Sequence, residues 1–199
     1  ITILSSINCL CQNHLIFLQI NYQIMIIAGI DISDRINIES VKMICTLYND
    51  NESFTKLINA LKSDNKRVAD NAAWILTHMP KKILYNLHKQ QDYFINLTLQ
   101  TQSLTQQRLL LNILLQQPFN KEALRSDFLN FCLDTITDLN YPSGIRSLCF
   151  KLAYHQCKLY PELLNELHSI YQLMHYNSLE PALKAAHKYV GKKLLQHFK

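Results

Sequence analysis

The chain has 199 residues, of which 48% are hydrophobic and 18% charged, with a formal net charge of +5. That balance excludes a disordered chain and suffices for one domain with a sizeable core. Three glycines and five prolines are too few for the tight turns of hairpin-built sandwiches and barrels, so helices are expected.

Residues 1–30, ITILSSINCLCQNHLIFLQINYQIMIIAGI, contain no Asp, Glu, Lys or Arg. Gln12, Asn13, His14, Gln19, Asn21 and Gln23 interrupt every window long enough to span a membrane, and no basic front end marks a secretory signal. The segment is expected to stand apart from the fold, as translated upstream sequence with Met25 as a start, or else to be a first helix packed on the body. Residues 31–199 are expected to form a single domain.

From Asp31 onward the apolar spacing is helical. Phe54, Leu57, Ile58 and Leu61 predict one helix, and Val68, Ala72, Ile75 and Leu76 predict the next, behind the turn Ser63-Asp64-Asn65. After Pro80 come a looser pattern over residues 93–99 and a firm one at Gln106, Leu110, Ile113 and Leu114. Beyond Pro118 the pattern over residues 128–136 leads, through Tyr141-Pro142-Ser143-Gly144, to Ile145, Cys149, Leu152 and Ala153. Leu163, Leu164, Leu167 and Ile170 follow Pro161; Ala182, Ala186, Tyr189 and Val190 follow Pro181, and proline is tolerated in a first helical turn. The second helices share one template, an anchor with apolar residues at +4, +7 and +8. The anchors Val68, Gln106, Ile145 and Ala182 are separated by 38, 39 and 37 residues, a two-helix repeat period.

The stretch LINALKSDNKRVADNAAWILTHMP resembles a HEAT-type repeat, with Asp64 in the turn, Val68 opening the second helix and the small pair Ala72-Ala73 where helices approach closely. GIRSLCFKLA places Ile145-Arg146 where the family commonly has Val-Arg, and PALKAAHKYV repeats the small-residue pattern. TQQRLLLNILL departs from it, with Gln106 as anchor and Leu110-Leu111 in place of the small pair. The resemblance covers roughly residues 50 to 195. It implies an all-α fold, a right-handed α-α superhelix or HEAT-like solenoid of about four helical hairpins, with the second helices lining a concave face.

On that register Arg67, Asp70, Asn71, Trp74 and His78 share one stripe of their helix. The same positions give Arg108, Asn112 and Gln116, then Ser147, Lys151 and His155, then Lys184, Lys188 and Lys192. Trp74 supplies stacking area and Arg67 forked donors for a peptide or nucleic-acid strand. Trp74 equally suits the seam between repeats, Asp70 an intrahelical ion pair and His78 a helix end.

Residues 1–180 hold fifteen basic and fifteen acidic side chains, so the charge excess comes from Lys184, Lys188, Lys192, Lys193 and Lys199. These lysines suit either a phosphate footprint or the polar outer face of a terminal repeat. Four of the six cysteines, at 45, 132, 149 and 157, fall in apolar helical patterns, which points to a reducing cytoplasmic setting without a disulfide framework. Cys9 and Cys11 lack a matching second pair, and Cys157 near His155 is no better, so neither metal nor cofactor is expected.

The phosphate-loop, GxSxG and HExxH motifs are missing from the sequence. The expected function is a non-catalytic scaffold or adaptor binding a protein or peptide, with no membrane span. The alternative is a DNA-binding protein similar to the HEAT-like alkylpurine DNA glycosylases, in which Arg67, Asp70 and Trp74 would imitate an acidic, basic and aromatic site for damaged DNA.

Overall fold

The computed structural model describes residues 26–47 and 51–197. Contacts cluster into two compact units, with the boundary between Pro80 and Lys81. The expectations for residues 1–24, Met25, Cys9 and Cys11 lie outside the described residues.

The described part of the first unit contains a feature the composition argued against, a minimal antiparallel hairpin of β1 (Ile26–Ile27) and β2 (Ile30–Asp31) in which Ile27 pairs with Ile30. Its two turn residues, Ala28 and Gly29, take φ angles of 52° and 76°. Two left-handed residues in succession match the right-handed twist of paired strands, and glycine adopts that conformation without a Cβ clash. The boundary expected at residue 30 falls inside this hairpin, and Ile27 and Ile32 are both fully buried. Apolar side chains on each side of residue 30 are therefore part of the buried core.

Three helices follow among the described residues of this unit: α1 (Ile38–Leu47), α2 (Asn51–Ala60) and α3 (Lys66–Thr77). The Asn37 side-chain oxygen accepts from the Ser40 backbone N–H at 2.8 Å, satisfying a donor of the first turn of α1. α3 is capped by Asn65, whose oxygen accepts from the backbone N–H of Arg67 and Val68 at 3.0 and 3.4 Å. Both α1 and α2 pack on α3. Val68, Ala72, Ile75 and Leu76 are fully buried there, as the periodicity predicts.

The second unit runs through α4 (Lys81–Asn86), a 3-10 turn (Leu87–Gln90), α5 (Gln91–Gln100) and α6 (Leu104–Leu115) to α7 (Ser126–Thr137). It continues with α8 (Ser143–Cys157), α9 (Pro161–Leu173) and α10 (Pro181–His197). The pairs α5–α6, α7–α8 and α9–α10 are the three expected hairpins. Helix α8 sits among them, packed against α6, α7, α9 and α10. Ser103 caps α6 by accepting from the Gln106 backbone N–H at 3.2 Å, and Pro161 and Pro181 open α9 and α10 where their missing N–H costs no helical bond.

Burial follows the repeat template in α6 and α8: Leu110, Ile113 and Leu114, then Cys149, Leu152 and Ala153, are all fully buried. Each large aliphatic side chain so placed contributes about 1.5–3 kcal/mol of transfer free energy. Helix α10 departs from it. Ala182 is exposed and Tyr189 is 41% exposed, whereas Leu183, Val190 and Leu194 are buried. The true anchor is Leu183, one residue later, because its larger side chain takes the buried position that the smaller Ala182 leaves.

The corrected register explains a shared tie. At the residue after the anchor, Gln107 donates from its side-chain nitrogen to the Thr98 carbonyl of α5 at 3.1 Å, and Arg146 donates from Nε to the Ile136 carbonyl of α7 at 3.0 Å. Helices α6 and α8 thereby each satisfy a C-terminal carbonyl of the partner helix that has no helical donor. The same position in α10 is Lys184, whose Nζ lies 5.9 Å from the centroid of the Tyr176 ring just beyond α9. A cation on an aromatic face replaces the hydrogen bond.

Candidate binding surfaces

In the first unit the residues of the predicted stripe on α3 make different contacts. Asn71 donates both hydrogens of its amide, to the Ile32 and Asp34 carbonyls, each at 2.9 Å. Arg67 pairs with Asp34 at 3.8 Å, both side chains being exposed. These two residues therefore hold the segment after the hairpin against α3. The Asn71 donors are thereby committed to loop carbonyls that helices and strands leave unpaired.

Trp74 and His78 are paired at the C-terminal end of the helix, with Asp70 one turn before Trp74. Trp74 is half-buried, neither wholly in the seam nor wholly in solvent. The His78 ring meets it edge to face at 5.8 Å, and His78 Nδ1 lies 3.0 Å from the Trp74 carbonyl oxygen. His78 thus closes the end of α3, where carbonyls lack donors, while the indole keeps an open part.

In the second unit a hollow of about 340 Å³ is lined by Leu115, Lys151, His155, Ala185 and Tyr189. Lys151 and His155 both line it, one turn apart on α8. Burial, and secondarily the neighbouring Lys158 charge, lowers the His155 pKa below the usual imidazole value. The ring therefore sits in the hollow neutral near pH 7, as donor and acceptor at once.

The α10 wall of the hollow differs from the expectation. Lys184 and Lys188 are displaced to the neighbouring stripe by the one-residue shift, and Ala185 and Tyr189 stand in their place. Arg108 and Asn112 do not line it. Arg108 is exposed, with its Cδ near Gly144 at the start of α8, and Asn112 is half-buried.

Tyr189, Ala185 and Leu115 are the lining residues that the sequence reading missed. A signal for them exists in the buried position eleven residues after each anchor: Met79, Gln117, Gln156 and Leu194. Leu194 fits that position only when the anchor is Leu183.

The helical pairs, the recurrence of the anchor and the small residues at close approaches agree with one family. The family of HEAT repeat domains matches residues 30–194. The chain belongs to the HEAT repeat family. No curated protein and no solved structure matches the chain.

The HEAT match starts within the hairpin and ends in α10, so it takes in both these α3 residues and the hollow. Among the described residues no group of three or more His, Cys, Asp or Glu side chains is placed to hold a metal ion. Among them, too, no helix is long and apolar enough to cross a membrane.

Proposed function

We propose that this HEAT repeat scaffold is a protein-binding adaptor, and that the hollow formed by α6, α8 and α10 receives part of its partner. The observation that carries this reading is the exposure of Tyr189, 41%, beside the half-buried Lys151 and His155. A large amphipathic ring, an apolar floor from Leu115 and Ala185, and polar tips at the rim match the composition of interface centres, where Tyr is enriched. HEAT repeats stack so that side chains from successive second helices share a face, which supports binding to an extended partner. Asp70, Trp74 and His78 offer a further surface of similar character on the first unit. A reducing, cytoplasmic location is part of the proposal; the packing of Cys132, Cys149 and Cys157 as buried free thiols supports it.

The test compares the tagged full chain with Tyr189→Ala, Lys151→Glu and Trp74→Ala, after circular dichroism shows equal helicity. Quantitative mass spectrometry of co-purified proteins is expected to show a partner retained by the native chain and reduced about tenfold by Tyr189→Ala. Identical partner profiles for all four proteins would remove the adaptor reading. Tight binding to duplex DNA carrying an alkylated base, lost in Asp70→Asn, would replace it with the DNA alternative.

A further inference from the structure

A second hollow, of about 750 Å³, opens on α10 against the C-terminal end of α9. Its floor is aromatic: Tyr171 stacks on His187 with centroids 4.2 Å apart, and Tyr176 lies 5.5 Å from the same His187 ring. Gly191 makes this possible, because a side chain at that position would collide with the Tyr171 ring. Leu195, 55% exposed, extends the apolar lining.

Lys188 and Lys192 form one side of the rim, and both are exposed. Lys184, one turn earlier, lies over the Tyr176 ring. No acidic residue lines the hollow, and none occurs from residue 181 to 199. Three of the five lysines that make up the charge excess, Lys184, Lys188 and Lys192, are thus gathered at an aromatic cleft.

From these observations we infer that the α9–α10 cleft is a docking site for an acidic peptide segment, one that inserts an aromatic or aliphatic side chain between Tyr171, Tyr176 and Leu195 and sets carboxylates against Lys188 and Lys192. The three lysines span eight residues of helix, about 12 Å at the helical rise. That length matches two or three carboxylates of a peptide. A nucleic-acid strand, whose affinity comes from neutralising many phosphates in succession, needs a longer basic track. Elsewhere in the sequence acidic and basic residues balance. The site is separate from the hollow of Tyr189 and Lys151, the lysine ridge lying between the two stripes of α10. It therefore stands or falls independently of the adaptor reading.

The experiment is panning of a random ten-residue peptide display library on the immobilised full chain. The best enriched peptides are then synthesised with a fluorophore and titrated by anisotropy. Enriched sequences are expected to carry at least two Asp or Glu next to an aromatic or large aliphatic residue. Lys188→Glu with Lys192→Glu is expected to weaken them about tenfold or more, and Tyr176→Ala to weaken them without changing their salt dependence. Both variants lie at exposed positions, and circular dichroism is the check that they fold. Tyr189→Ala is expected to leave these peptides unaffected.

Enrichment of neutral or basic sequences, or no enrichment above an empty surface, would overturn the inference, as would peptides that bind the double-Glu variant equally well. A fluorescent twelve-residue oligothymidylate that outcompetes the peptides at the same lysines would assign the cleft to nucleic acid instead. Concentration-dependent self-association abolished by the double-Glu variant would assign it to a second copy of the chain.

Discussion

The Tyr171 ring lies flat on His187, centroids 4.2 Å apart and planes 22° from parallel, over the place where Gly191 carries no side chain. A Cβ at residue 191 would sit 2.5 Å from the Tyr171 hydroxyl oxygen and 2.6 Å from its Cε2. Alanine in a helix interior is ordinarily favoured over glycine by about 1 kcal/mol. Here that gain is offset by displacement of the stacked ring. Gly191→Ala is expected to be neutral or destabilising in the native chain, yet stabilising by about 1 kcal/mol in a Tyr171→Ala background. Urea unfolding of the four proteins in this cycle measures the coupling, and equal effects in both backgrounds would contradict the steric account.

Arg146 is only 8% exposed, and its Nε donates to the Ile136 carbonyl. Arg146→Ala leaves that carbonyl without its donor and opens space beside α7, at an expected cost of about 2–3 kcal/mol. Arg146→Gln is expected to cost less, because Gln107 makes the corresponding bond one repeat earlier. Equilibrium denaturation ranks the two. If the glutamine variant is no better than alanine, the shared tie contributes nothing to stability.

Asn71 spends both of its amide hydrogens on the carbonyls of Ile32 and Asp34. Asn71→Asp keeps the shape but replaces two donors with a charge facing carbonyl oxygens and the nearby Asp34. A loss of about 2 kcal/mol is expected, larger than for Asn71→Ala. Limited proteolysis should then cut sooner between residues 32 and 37. Unchanged cleavage in both variants would show that the hairpin end is held by other contacts.

Burial raises the Cys157 thiol from its ordinary 9.0 to about 12, with the Glu166 carboxylate adding to the effect, and desolvation also raises Cys132. Folded Cys157 stays protonated where the unfolded chain would ionise. Its contribution to stability is therefore complete below about pH 9 and is lost as the pH climbs toward 12. Iodoacetamide labelling at pH 8 is expected to spare Cys132 and Cys157 until urea unfolds the second unit. Alkaline melting should begin above pH 9 and be delayed in Cys157→Ala relative to that variant's own stability at neutral pH. Rapid labelling of Cys157 in the folded chain would contradict its burial.

The 3.6-residue spacing of apolar side chains was enough to place all four helical hairpins, because a helix must bury one stripe and that stripe is written in the order of residues. Val68, Gln106 and Ile145 could be identified as anchors from the sequence for that reason. The recurrence near 38 residues identified stacked repeats and, with the small pair Ala72-Ala73, the family. Tertiary structure alone decided what depends on competition between neighbours. At the start of α10, Ala182 and Leu183 are both apolar, and only packing against the rest of the unit selects the larger one for the core. That choice turns Tyr189 outward and moves Lys184 and Lys188 to the next stripe. Asn71 reads as a surface polar residue until the Ile32 and Asp34 carbonyls, more than thirty positions away, arrive within 2.9 Å of it. Local order in the chain sets helical faces, and the partner that each face meets is set by residues distant in sequence.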